Sequence, residues 1–370
     1  MSLSERHSIQ EVHPMTQSLD LTTYRLLGRS GLRISPLALG AMTFGLDWGW
    51  GAEPDEARRI FDAYVDRGGN FVDTANAYTN GSSERLVGDF AQGKRERLVI
   101  STKYTMATRP GDPNSGGNHR KSMVASVEES LRRLKSDYID LLYVHQWDGL
   151  TPVEEILRGL DDLVRQGKVL YLGLSDIPAW QASRMQAVAD LRGWTPFVAL
   201  QSEYSLIERT SERDLIPMAN EMGMGFMPWS PLANGVLSGK YSQADLGASQ
   251  GGIEGSRKAI AGAHGSLSER SLAIAKVVGE IANEAGLSSA QVALAWVMAN
   301  PGVTALLLGA RTLQQLENNL GALNVTLSAE QCARLEAASA IELGFPHDLL
   351  RGDFFRAAIS GGAHLPQRSW

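Results

Sequence analysis

Short apolar runs alternate with amphipathic stretches almost from end to end of this chain, and that alternation restricts the fold more than any other feature. "PLALGAMT" at 36–43 reads as a strand. "EPDEARRIFDAYVDRG" at 53–68 reads as a helix, opened by proline and acids and closed by glycine. "NFVDTA", "RLVISTK", "YIDLLYVH", "VLYLGLSD", "FVALQSEY", "GFMPWSPL" and "VTALLLGA" repeat the strand signal with helical patterns between them. After "GFMPWSPL" come a long loop, 233–266, a helix over about 267–285, and a second helix at "SAQVALAWVMAN". Such near-continuous apolar strands suit a parallel sheet covered on both faces. Eight units predict an α/β fold closed into a (β/α)8 TIM barrel. No G-x-G-x-x-G follows an early strand, which speaks against a Rossmann domain.

Residues 1–23 read as a loose polar extension with solvated His7 and His13, residues 24–340 as the barrel, and residues 341–370 as a C-terminal tail expected partly over the barrel mouth. "YRLLGRSGLRIS" (24–35) predicts an N-terminal hairpin turning at Gly28 to Gly31, placed to cover the barrel floor. The loop at 233–266 is rich in Gly, Ala and Ser, and a loop of that length at a barrel rim is usually functional or mobile.

Composition removes several classes of function. Net charge is -6, and no basic block is interleaved with aromatics, so nucleic acid is not an expected partner. No apolar run approaches the roughly 20 residues of a membrane span, and the first residues lack the apolar core of a signal peptide. The one cysteine, Cys332, permits neither an internal disulfide nor a cysteine-based metal site, and fits a reducing, cytoplasmic setting. The oligomeric state is unreadable, and a homo-oligomer stays open.

In a (β/α)8 barrel the active site lies at the C-terminal ends of the strands, so the last residue of each strand carries the functional information. Here those residues are Asp73, Lys103, His145, Ser175 with Asp176, Gln201, Trp229, and Gly309 leading to Arg311. Singly, each has a structural reading: a solvated lysine, a satisfied histidine, an aspartate forming a turn. Together they converge polar groups from seven strands on one rim, where an apolar core has no use for them. Tyr78 follows Asp73 by five positions. A phenol holds its proton at neutral pH, and a neighbouring cation would lower its pKa and make it a proton donor to a developing alkoxide. Lys103 is the candidate cation, Asp73 its counter-ion, and His145 the group that orients a carbonyl oxygen.

With these four residues in place, "NFVDTANAY", "STKY", "LLYVHQWD", "GLSD", "LQSEYS", "WSPLANGVLSGKY" and "GARTLQQLENN" occur in order, and the chain resembles the aldo-keto reductase superfamily over roughly Tyr24 to Ala340. It looks most like the microbial branch of aryl-alcohol dehydrogenase-like and sugar-aldehyde-reducing members, with potassium-channel β subunits more distant. The resemblance implies NADPH bound to the barrel in an extended pose, hydride donation from nicotinamide C4, and reduction of a small carbonyl substrate with Tyr78 as general acid. It also implies that Ser175 and Gln201 hold the carboxamide, with Asp176 where many relatives have Asn. Trp229 would stack on the nicotinamide. Ser230, Pro231, Leu232, Asn234 and Gly235 would pass over the pyrophosphate, with Lys240 facing a phosphate. Gly309, Arg311, Gln315, Asn318 and Asn319 would meet the adenosine end. An arginine near a helix N-terminus is disfavoured by the dipole, which is a reason to expect an anion there, the 2′-phosphate.

Trp48, Tyr104 and Trp147 are candidate walls of a substrate pocket, and Asn118 and Arg120 lie in a Gly- and Asn-rich loop after strand three. Two rival readings stay open at this point. A metal-dependent hydrolase would need a His/Asp/Glu cluster, whereas only one rim histidine is evident and no metal site is expected. A nicotinamide-binding regulatory protein, like the channel β subunits, would keep the same residues with slow chemistry.

Overall fold

The side chains of the strands alternate between two apolar layers, and the barrel follows from that alternation. On β5 (Val99–Tyr104), Val99 faces the barrel axis with Phe71, Leu141, Tyr143, Val198 and Met227, while Ile100 and Tyr104 pack outward among the helices. The computed structural model describes residues 19–250 and 261–363. Its eight-stranded parallel sheet runs in the order β10 (Leu306–Gly309), β3 (Leu37–Gly40), β4 (Phe71–Asp73), β5, β6 (Ile139–Val144), β7 (Val169–Ser175), β8 (Phe197–Glu203), β9 (Gly225–Trp229). The ring closes where Phe226 of β9 bridges Val303 ahead of β10 and accepts a hydrogen bond from the Thr304 amide at 2.9 Å. This is the expected (β/α)8 barrel.

Helices α1 (Pro54–Asp66), α2 (Ser82–Ala91), α3 (Arg120–Leu134), α4 (Val153–Arg165), α5 (Ala179–Arg192) and α6 (Leu215–Glu221) follow the strands in turn. The expected pair after the long loop is present as Glu269–Ala285 and Ser289–Ala299, the second opened by a capping box of Ser288 and Gln291. The 233–266 segment is not irregular throughout. It contains 3-10 turns at Ala233–Ser238 and Gln243–Gln250, and Val236 and Leu237 are fully buried.

The hairpin of β1 (Arg25–Leu26) and β2 (Arg33–Ile34) closes the N-terminal end of the barrel. Leu27 and Ile34 are fully buried against the innermost side chains of the strands. The packed chain begins earlier than residue 24: Leu21 is buried in the helix–strand layer, and the Leu19 amide bonds Leu323 O at 3.2 Å. His7 and His13 lie outside the described residues. The tail forms helices at His347–Arg351 and Asp353–Ser360. It is tied to the start of α6, beside the rim at β8, by His347 Nε2 to Asp214 Oδ1 at 2.8 Å and by the Arg213 guanidinium to Glu342 O at 3.0 Å. Among the described residues no helix is long and apolar enough to cross a membrane.

Gly28 sits at φ +52°, and an added Cβ would stand 2.3 Å from Val198 O and 2.5 Å from Gly223 O. Gly28→Ala therefore forces the floor hairpin away from the strand ends. Denaturant unfolding should show a loss of about 2 kcal/mol.

Candidate active site

β4 and β5 carry the two charges, and their register places them side by side. Asp73 ends β4 opposite Ser101, and Lys103 lies two residues further along the same inward face of β5. Lys103 Nζ is 2.5 Å from Asp73 Oδ2, with the lysine side chain fully buried and the carboxylate nearly so. The remaining ammonium protons are directed to Thr74 O at 2.9 Å and Tyr78 Oη at 3.3 Å. The other carboxylate oxygen, Asp73 Oδ1, accepts from Ser101 Oγ at 2.7 Å and Gln201 Nε2 at 3.1 Å. An isolated ammonium in a barrel core would shed its proton. Here burial acts to lower the Lys103 pKa, but Asp73 and then Tyr78 outweigh it and hold the ammonium above its ordinary value.

Tyr78 stands on a tight turn rather than on the strand. Thr79, Asn80 and Gly81 follow it with φ of 44°, 53° and 85°, three consecutive left-handed residues before α2 begins. Thr79 Oγ1 bridges Phe44 O at 2.8 Å and the Ser83 amide at 2.9 Å, which stabilises this unfavourable backbone. Burial raises the phenol pKa, and Lys103 only partly offsets it. The expected net depression by the lysine is thus not what the structure gives: desolvation is the larger effect, and the hydroxyl keeps its proton more firmly than a free tyrosine does.

His145 follows β6 and faces Tyr78, with ring centroids 5.7 Å apart at 80°. Burial and then the nearby ammonium push its pKa down to about 3, so the imidazole is neutral. Its Nδ1 is sealed and unpartnered, which makes Nε2 the less costly place for the proton. A neutral Nε2–H can donate to a carbonyl oxygen.

The candidate cofactor residues lie around the same rim. Ser175 Oγ is sealed without a partner, an unmet polar atom that a bound amide would satisfy. Gln201 is committed to Asp73 through its nitrogen. Trp229 is held by Nε1 donating to Asp176 Oδ1 at 3.0 Å, and the surrounding protein pushes the Asp176 carboxyl up to about 6 while one side of the residue opens to solvent. Glu203, opposite Trp229, is raised to about 7 by burial and by Glu208 and Asp176. Ser230 Oγ accepts from the Asn234 amide at 3.1 Å, and Asn234 Nδ2 reaches Ser266 Oγ at 3.1 Å, so the turn holding Pro231, Leu232 and Gly235 is braced. Lys240 packs beside Gly235 and over the Tyr241 ring at 4.9 Å. Gly309 ends β10 exposed. The Arg311 amide bonds Gln315 Oε1 at 2.9 Å, Asn318 Nδ2 bonds Ser288 Oγ at 3.1 Å, and Asn319 is buried. Arg311 itself makes no ion pair among the described residues. Sealed Ser175 and partly exposed Trp229 are groups that a bound nicotinamide could satisfy and cover. Among the described residues no group of His, Cys, Asp or Glu is arranged to hold a metal ion.

Of the three candidate substrate walls, Trp48 meets Tyr78 edge-on at 6.3 Å and Trp147 meets Trp180 edge-on at 5.5 Å. Tyr104 is not brought to the mouth. It follows Lys103, so it points to the other side of the sheet, where it is 1% exposed and donates to Asn118 O at 3.4 Å. Asn118 is also committed to structure: its amide side chain bonds Thr105 Oγ1 and Gln146 O, each at 2.9 Å, and accepts from the Asp148 amide at 2.8 Å. Arg120 pairs with Asp162 at 2.5 Å. Sequence reasoning missed Ser101 and Trp50. Ser101 was findable, because period-two alternation puts it on the face of Lys103. Trp50 packs against Trp48, ring centroids 5.7 Å apart and tilted by 43°, through loop geometry that no local pattern encodes.

A histidine whose pKa is lowered on folding binds more protons unfolded than folded between its two pKa values. Stability should therefore fall as pH drops from about 6.5 toward 3, by about 1.4 kcal/mol per unit from His145 alone. Urea unfolding of His145→Gln across that window should be flatter than the parent by that slope.

The aldo/keto reductase family profile matches residues 36–340. Norsolorinic acid reductase of Aspergillus flavus is 38% identical over 338 residues, covering 88% of this chain and 84% of that protein. Aryl-alcohol dehydrogenase [NADP(+)] of Phanerodontia chrysosporium is 38% identical over 87% of each. Norsolorinic acid reductase B of Dothistroma septosporum is 36% identical over 93% of this chain and 88% of that protein. With a barrel closed in register, a buried lysine–aspartate pair under a tyrosine, and similarity running across nearly its whole length, the chain belongs to the aldo/keto reductase family.

Proposed function

We propose that this protein is an NADPH-dependent oxidoreductase that reduces aldehydes or ketones to alcohols, with Tyr78 as the general acid. The single observation that carries the reading is the buried ammonium of Lys103, shared between Asp73, Thr74 O and Tyr78 Oη, with a neutral His145 beside the phenol. When bound, NADPH supplies the hydride from C4 of its nicotinamide. Ser175 and Gln201, with Asp176 beside them, would hold the carboxamide end, Trp229 would stack on the ring, and Arg311 would bind the 2′-phosphate. One relative carries NADP(+) in its name, which supports the phosphorylated form.

The chain's own groups perform the proton chemistry. His145 Nε2–H and Tyr78 Oη–H polarise the carbonyl oxygen from two directions. As negative charge develops there, the phenol proton moves to it, and the adjacent ammonium stabilises the phenolate left behind. Burial keeps the phenol protonated beforehand, so the acid is always loaded at neutral pH. Asp73 keeps the ammonium from losing its own proton through Oδ2, while Ser101 and Gln201 hold the carboxylate in place by donating to Oδ1. In the oxidative direction the same groups run in reverse, with the phenol oxygen receiving the alcohol proton. Trp48 beside Tyr78, with Trp50 against Trp48, together with relatives named for aryl alcohols and norsolorinic acid, favours a flat aromatic carbonyl substrate. We place the activity in the cytoplasm, acting on a small molecule.

Tyr78→Phe should keep cofactor binding within twofold while reduction of aromatic aldehydes falls by roughly 10²- to 10⁴-fold, followed at 340 nm. Lys103→Met should give a loss of similar size, accompanied by lower stability because Asp73 is left buried and unpaired. Arg311→Gln should weaken NADPH roughly tenfold or more and leave NADH nearly unchanged in fluorescence titration. Equal losses for both coenzymes would show that Arg311 does not read the 2′-phosphate.

A further inference from the structure

A second buried ion pair lies on the outer side of the barrel wall, directly behind the catalytic one. Glu84, in the first turn of α2, is fully buried. One of its carboxylate oxygens accepts from Thr102 Oγ1 at 2.6 Å, and the other accepts from Arg133 of α3 at 2.9 Å. The same guanidinium nitrogen donates to Asn76 O at 2.9 Å. The guanidinium also lies flat against Gly81, where an added Cβ would be 2.9 Å from it. Its outer side is tied to Glu129 at 3.5 Å.

These contacts meet at both ends of the segment that carries Tyr78. Asn76 is two residues before the phenol and Gly81 three after it. Thr102 is the outward neighbour of Lys103 on β5. The pair therefore connects the strand bearing the ammonium to the turn bearing the hydroxyl, by a route that touches neither reacting group. The turn needs such a hold, because its three consecutive left-handed residues do not define Tyr78's position by themselves. Two helices packed at close range support the bracket: a Cβ on Gly88 of α2 would meet the Arg133 carbonyl at 2.6 Å. Arginine suits the place because its planar fork can serve a carboxylate and a carbonyl at once, which an ammonium on a flexible stem does with much less precision.

We infer that Glu84 and Arg133 are positioning residues for the proton-donating turn, setting the reach of Tyr78 Oη to Lys103 Nζ from outside the barrel. This rests on the carbonyl-reductase reading for its catalytic consequence, but its structural half stands alone, so two measurements are made. In the first, steady-state reduction is compared for the parent, Glu84→Gln, Arg133→Lys and Thr102→Val, each normalised to sites titrated with NADPH. The expected result is a kcat lowered tenfold or more in Glu84→Gln and about fivefold in the other two, with the KM for NADPH within twofold. A merely structural pair would lower melting temperature and leave kcat per titrated site unchanged.

In the second, amide hydrogen exchange is followed in the protein without added coenzyme. Residues 76–83 should exchange at least tenfold faster in the variants, with Glu269–Ala285 unaltered. Should Glu84→Gln fail to fold, Arg133→Lys and Thr102→Val, which leave no uncompensated buried charge, decide the matter. Unchanged kcat per site, or unchanged exchange at 76–83, in the folded variants overturns the inference. If the parent reduces no carbonyl at all, the functional reading fails instead, and the exchange result still reports on the bracket.

Discussion

A fully buried ammonium is the constraint around which the rest of this barrel is arranged. Lys103 is fully buried, and its desolvation is offset only because Asp73, Thr74 O and Tyr78 Oη take up its three protons. Remove any one of them and the others are left charged or unpaired in an apolar interior. That interdependence is why strand register matters here. A slip of one residue in β5 would turn Lys103 outward to the helices and Thr102 inward, and would exchange the strand's two apolar faces at the same time.

The same constraint explains the layering along the barrel axis. The floor is apolar, from Leu27 and Ile34 of the hairpin through Phe71, Leu141 and Val198. Tyr143 marks the change, with its ring 6.0 Å from the ammonium. Above it the interior turns polar, where strand ends carry Asp73, Lys103, His145, Ser175 and Gln201. The apolar filling below keeps water from reaching the ion pair from underneath, and that exclusion depresses His145 and elevates Tyr78 together. Each is therefore held in its uncharged form.

Much of this was legible in the order of residues. Eight alternations of apolar run and amphipathic stretch dictated the barrel, and strand-end position picked out Asp73, Lys103, His145, Ser175 and Gln201 as candidates. The less legible features were the ones that depend on which neighbour wins. Lys103 was expected to leave the Tyr78 phenol with a lowered pKa, yet burial is the larger influence, and burial cannot be read from the spacing of two residues. Tyr104 looked like a pocket wall because it adjoins the lysine, but adjacency on a strand means opposite faces. Asn118, which the sequence places only in a loop, ties the ends of β5 and β6 together through its side-chain amide.

The linear pattern decided fold class, strand order and the identity of the charged pair, because hydrophobic periodicity and strand-end position are local properties carried by each segment alone. Only the folded molecule decided the protonation states, the commitment of Gln201 to Asp73, the pairing of Trp229 with Asp176, and the Glu84–Arg133 bracket behind the turn. Those depend on desolvation and on contacts between segments dozens of residues apart, and both quantities exist only once the barrel has closed.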